Sequence, residues 1–292
     1  MKAQLAAFGG VPVRTTPLPP RRPFGKREEE LLLAAVRSQN LFGKSGTMVP
    51  RLEKEFAAFY GRRFAQTATS GTAAIHIAVG AVNPDPGDEI ITAPITDPGS
   101  VMPILYQNAV PVFADVDPLT LNMTPESIEA NITERTRAII LVHLFGRPCN
   151  VERVREIADR HNLILIEDCS QCHATMRNGA FAGTVGHIAA FSFQQSKQMT
   201  TGDGGIVTTD DEELYIRMKL FSDKGWDYKY MGDRDHAFLA PNYRMTEMQG
   251  AVGIAQLEKV RSVSLRRHEL GALLCDLLRD VPGVTPVPPE PE

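Results

Sequence analysis

The run Ala138-Ile139-Ile140-Leu141-Val142, the charged stretch from Val151 to His161, and the run Leu163-Ile164-Leu165-Ile166-Glu167-Asp168 decide the fold. The first run is apolar and rich in β-branched residues, which suits a strand buried on both faces. The second reads as a helix. The third is a buried strand that runs straight into a pair of carboxylates. Strand, helix and strand in this order predict parallel pairing with a helical crossover.

The same rhythm extends to both sides. Residues 64–69, 89–92, 110–116, 188–193 and 205–209 are further strand candidates. Residues 72–80 form a small-residue helix, and Thr124 before Pro125 is an N-cap and first-turn pair opening a helix over 124–131. Leu31, Leu32, Leu33, Ala35 and Val36 among charges predict a helix over 28–38, and Leu52, Phe56 and Phe59 predict another over 48–60, stopped by Gly61. The Pro-, Gly- and Arg-rich residues 1–24 read as an extended arm. From Met245 the pattern is helical, and it ends in a Pro-rich stretch. The expected class is α/β, a three-layer sandwich around a mostly parallel sheet.

A hydrophobic share of 43% with 23% charged residues excludes wholesale disorder. A net charge of −4 argues against general nucleic-acid binding. Four cysteines are too few for a disulfide scaffold and favour a reducing compartment. No apolar run approaches a membrane span, and residues 1–10 carry no secretory pattern. The expectation is a soluble cytoplasmic protein.

Three segments carry chemistry. Thr69-Ser70-Gly71-Thr72-Ala73-Ala74 joins a strand to a helix, where backbone N–H groups and the helix dipole favour an anion. A tight, well-capped turn reads the same way. Asp168 ends a buried strand, where open α/β sheets bind ligands. Strand alternation puts Ser170 on the side of Asp168, with Cys169 and Gln171 opposite. Lys197 is the single lysine of the polar loop between Phe193 and Gly205. A desolvated lysine can bond an aldehyde; taken alone, a lysine here reads as solvated surface. Cys169-Ser170-Gln171-Cys172-His173 matches a haem-attachment spacing, which the lack of an export signal opposes. With one ligand-spaced Cys pair, even counting nearby His143 and Cys149, no metal site is expected. An anion cradle, a buried carboxylate and a loop lysine together match what pyridoxal phosphate requires.

These blocks, with Asn242-Tyr243-Arg244-Met245-Thr246-Glu247, resemble the DegT/StrS-type sugar aminotransferases, a branch of fold-type I pyridoxal-phosphate enzymes. The likeness runs from about Phe24 onward. It implies that Lys197 bonds the cofactor and Asp168 faces its pyridine nitrogen. It also implies that Gln171 faces its 3′ oxygen, and that Gly71, Thr72 and Ser192 hold its phosphate. Asn242 would reach the phosphate of a neighbouring subunit, which implies a homodimer. The implied reaction moves an amino group from glutamate or glutamine to a keto group on a nucleotide-linked sugar or cyclitol. Rivals are aminohydroxybenzoate-synthase-like or dehydratase chemistry on the same scaffold, and a non-catalytic cofactor-binding sensor. Lys197 opposes the dehydratase, which resembles this chain but has histidine there. The family usually has an aromatic residue where this chain has Asp97, and Gly-Glu-Gly-Gly where it has Gly202-Asp203-Gly204-Gly205.

The expected organisation is an arm and first helix over 1–43, a cofactor-binding large domain over 44–244, and an incomplete small α+β domain from 245. Family members continue past this point, so the chain reads as a fragment. Leu257, Val260, Leu270, Leu273, Leu274, Leu277 and Leu278 are then expected to lack cover, with weak cofactor binding and self-association. Substrate choice is expected from residues 223–240, with Lys224, Trp226, Tyr228, Lys229, Tyr230, Arg234 and His236.

Overall fold

The computed structural model describes residues 4–18, 21, 23–226 and 235–289. After the arm come α1 (Lys26–Arg37) and α2 (Met48–Tyr60), then β1 (Phe64–Ala68), α3 (Gly71–Val82) and β2 (Glu89–Thr92). Next are α4 (Met102–Tyr106), β3 (Val110–Phe113), α5 (Pro125–Ala130), β4 (Thr136–Val142), α6 (Val151–Arg160) and β5 (Ile164–Asp168). A small hairpin of β6 (Met176–Arg177) and β7 (Ala180–Phe181) precedes β8 (Ile188–Ser192) and β9 (Gly205–Thr209). The described chain closes with α7 (Glu212–Phe221), α8 (Glu247–Leu257), α9 (Val260–Leu278) and an extended tail.

Seven strands form one sheet in the order β1-β9-β8-β5-β4-β2-β3. β8, β5, β4, β2 and β3 run parallel, and β9 runs antiparallel to both β8 and β1. β1 therefore points the same way as β5 and β8. The carboxyl ends of all these strands, and the start of β9, lie along one edge.

Side chains alternate across β8 and β9: Ile188, Ala190 and Val207 enter one core, and Ala189, Phe191 and Ile206 the other. The first core includes α3, buried along nearly its whole length, with Met218 and Phe221 of α7. The second includes α1, α2 and α8, with Leu31, Leu52, Phe56, Ala251 and Ile254. Its aromatic centre sets Phe56 edge-on to Phe191 at 5.0 Å, beneath the end of β8.

β3 stops at Phe113, short of the expected Val116, which instead forms an isolated bridge with Met123. As an edge strand, β3 tolerates Pro111. Of the C-terminal apolar residues, Leu257 and Val260 are buried in the second core, contrary to expectation, because α8 packs against α1 and α2. Leu270, Leu273, Leu274 and Leu277 are exposed, as expected. No described helix is long and apolar enough to cross a membrane.

Candidate active site

At the carboxyl edge of the sheet lies a cavity of about 500 Å³. Its walls include Gly71, Thr72, Asp97, Ser100, Asp168, Ser170, Gln171, Ser192 and Lys197. Segments from across the sequence meet there because β1, β5 and β8 all end at this edge, while the turn after β2 reaches the same rim.

The anion cradle begins where β1 hands over to α3. Ser70 caps the helix, its Oγ accepting from Ala73 N at 3.0 Å. The first turn of a helix has N–H groups without intrahelical acceptors, and Gly71 and Thr72 stand at that point on the cavity wall. A Cβ on Gly71 would fall 2.5 Å from Ser192 Cβ, so only glycine lets β8 approach this closely. Ser192 Oγ accepts from Gln194 N at 3.3 Å, which leaves its own proton for another acceptor.

Asp168 ends β5 and is 5% exposed. Its Oδ1 accepts from Ser170 N at 3.0 Å, and its Oδ2 from Ser100 Oγ at 2.7 Å. Glu167 points to the opposite side, fully buried, and accepts from His143 Nε2 at 2.9 Å and from the N–H groups of Gly183, Val185 and Gly186. Burial alone would raise its pKa, but these donors hold it below the ordinary carboxylate value.

Gln171 departs from the expected alternation. The strand ends at Asp168, and a turn from the Cys172 N–H to the Cys169 carbonyl swings Gln171 back to the cavity. Its Oε1 accepts from Phe145 N at 2.7 Å, which identifies the amide nitrogen as its free end. Phe145 makes this contact from a left-handed conformation, φ 54°, which strains a bulky residue.

Lys197 is half-buried in the loop between β8 and β9. Three consecutive carbonyls of this loop are gripped by guanidinium groups. Arg21 of the arm donates to the carbonyls of Gln195 and Lys197, and Arg267 of α9 donates to that of Ser196 at 3.0 Å. Beneath the loop, His173 donates from Nε2 to the Ser192 carbonyl at 2.8 Å. Burial lowers the His173 pKa to about 4, and it stays neutral.

His143, Cys169 and Cys172 do come together, with ligand atoms within 4.8 Å of one another. His143 Nδ1 accepts from Cys149 N at 3.0 Å, and its Nε2 donates to Glu167. Both imidazole nitrogens are thus engaged, and the cluster offers an ion no free histidine lone pair.

Asn242 lies outside the cavity. It is exposed, with its Oδ1 accepting from Arg244 N at 3.3 Å. In the expected substrate loop, Lys224 Nζ sits 4.5 Å from the Trp226 ring centroid, and Trp226 bridges to His236. Tyr228, Lys229, Tyr230 and Arg234 lie outside the described residues. Sequence reasoning did not find Arg21, Ser100, Phe145 or Arg267. Each acts through a long-range contact that has no local pattern.

The chain is similar to several known proteins. Over 272 residues the chain is 35% identical to the spore coat polysaccharide biosynthesis protein SpsC of Bacillus subtilis, covering 90% of this chain and 69% of that protein. It is 37% identical over 316 residues to the L-glutamine:2-deoxy-scyllo-inosose aminotransferase of Streptomyces kanamyceticus, covering 97% of this chain and 71% of that protein. The crystal structure of an aminotransferase from Psychrobacter cryohalolentis superposes with a TM-score of 0.85 at 36% identity, covering 93% of this chain and 72% of that one. The sequence profile of one family matches residues 24–292, and the chain belongs to that family, the DegT/DnrJ/EryC1/StrS aminotransferases.

Proposed function

We propose that the protein is a pyridoxal-phosphate-dependent aminotransferase that moves an amino group from glutamine or glutamate to a keto group of a nucleotide-linked sugar or cyclitol. The carrying observation is the convergence of a helix N-terminus, Ser192, buried Asp168 and Lys197 in one cavity. The donor set fits the cofactor: N–H and hydroxyl donors for a phosphate, a carboxylate for a pyridinium N–H, and an amine for an aldehyde.

The N–H groups of Gly71 and Thr72 and the Ser192 hydroxyl hold the phosphate. Asp168 accepts the ring N–H and keeps that nitrogen protonated. The free amide nitrogen of Gln171 donates to the 3′ oxygen. Lys197 would hold the cofactor through its aldehyde carbon, and its amine would move a proton at the reacting carbon. When bound, the cofactor supplies an electron sink for the pair left as a Cα proton departs. Asn242 reaches the phosphate of a neighbouring copy, and the working protein is a cytoplasmic homodimer. The family membership, the relative named for spore coat polysaccharide biosynthesis and the relative named as a glutamine:inosose aminotransferase support this reading.

The test is spectroscopic. Protein reconstituted with pyridoxal phosphate should show a visible absorption band that L-glutamine or L-glutamate discharges, with release of one equivalent of the matching 2-oxo acid. A band that neither donor changes would favour a sensor instead.

A further inference from the structure

Asp97 occupies a position on the cavity wall where the resembled family usually has an aromatic residue, and its contacts give it a different task. Its carboxylate accepts from Gly99 N at 2.8 Å and caps the short 3-10 turn Pro98–Ser100, with Pro98 in the first position. The Ser100 N–H closes the turn on the Asp97 carbonyl at 3.0 Å. The turn presses on the anion cradle: a Cβ on Gly99 would lie 2.7 Å from Thr72 Oγ1. Its last residue, Ser100, is 2% exposed. Ser100 Oγ lies 2.7 Å from Asp168 Oδ2 and 2.8 Å from Thr96 Oγ1.

The chemistry of the groups fixes the direction of this chain. An ionised carboxylate only accepts, so the single Ser100 hydroxyl proton goes to Asp168. The Ser100 oxygen then accepts from the Thr96 hydroxyl. Asp168 is thus held at Oδ2 by Ser100 and at Oδ1 by the Ser170 N–H. Two anchors on different oxygens resist rotation of the carboxylate plane. The remaining lone pairs keep one orientation in the cavity.

We infer that Ser100 and Thr96 are positioning residues for Asp168, and that Asp97 serves as the cap of the turn that delivers Ser100. This rests on Asp168 facing the ring nitrogen, as set out under Proposed function. Without the Ser100 hydroxyl the carboxylate turns, and its hold on the ring proton weakens. Thr96 contributes by orienting the Ser100 hydroxyl.

The experiment reconstitutes wild type, Ser100→Ala, Ser100→Thr, Thr96→Val and Asp168→Asn with pyridoxal phosphate carrying ¹⁵N in the ring. It measures the ring ¹⁵N chemical shift and the single-turnover rate with L-glutamine. In Ser100→Ala, the ring signal should move toward the unprotonated position. Its rate should fall ten- to hundredfold, with less than a threefold change in the glutamine concentration for half-maximal rate. Ser100→Thr should restore both readouts to within threefold of wild type. Thr96→Val removes the second hydroxyl at nearly constant volume and should give a smaller shift in the same direction. A wild-type ring shift in both Ser100→Ala and Thr96→Val, with Asp168→Asn shifted, overturns the positioning role and leaves Asp168 intact. A wild-type shift in Asp168→Asn overturns the role of Asp168, and this inference with it.

Discussion

On the proposed reading Lys197 is the residue on which the chemistry turns, and its assignment is directly testable. Borohydride reduction of the reconstituted protein, followed by peptide mapping, should label Lys197. Lys197→Ala should lose both the visible band and all amino transfer. Labelling at Lys219 or Lys224 would overturn the assignment. Asp168→Asn should keep its cofactor but lose roughly two to four orders of magnitude in the half-reaction, the usual range for a lost proton-handling group; rapid-mixing absorbance gives the rate. The place of both residues on the cavity wall was legible in sequence, because each ends or follows a short apolar run and a strand fixes its position. Strand alternation alone put Gln171 on the wrong side, because it holds only while the strand lasts and this strand stops at Asp168; the family resemblance placed it at the cavity, where it lies. Ser100 was invisible because its meaning is a contact with Asp168, 68 positions away.

The strand β5 separates two carboxylates with opposite duties. Asp168 opens to the cavity, while Glu167 knits β5 to His143 of the β4 exit and to the loop entering β8. Removing one member of a buried, fully bonded pair costs about 3–5 kcal/mol, because its partners are left unsatisfied. Glu167→Ala should therefore lower the unfolding free energy by about that amount in urea titrations. The strands and the long helices were readable from hydrophobic runs and caps. α7 was missed although Asp211-Glu212-Glu213 is a helix-start signature, with the Asp211 side chain accepting from Leu214 N at 2.9 Å. α4 and the β6–β7 hairpin are too short to show a period, and tertiary packing decides them.

At the scale of the molecule, buried neutral histidines set a pH limit. Burial lowers the pKa of both His76 and His173 from 6.5 to about 4. Between those values the unfolded chain takes up protons that the folded chain refuses, so stability rises with pH. The contribution is complete above pH 6.5 and is lost as pH falls toward 4. The loss is on the order of 3 kcal/mol per histidine. Thermal midpoints should fall across that window, and His76→Gln should make the fall shallower. The proposed assembly is tested separately: sedimentation should give a dimer, and Asn242→Ala should weaken cofactor affinity while Lys197 still labels. A tight-binding monomer would refute the shared site. The two arginines on the lysine loop also set an order of events during synthesis. Arg21 is made before the loop, but Arg267 follows Ser196 by 71 positions. At 5–20 residues per second the ribosome needs about 4–14 s to supply it. For that interval the nascent loop carries its lysine with the Ser196 carbonyl ungripped, and Lys197 is translated well before its setting is complete.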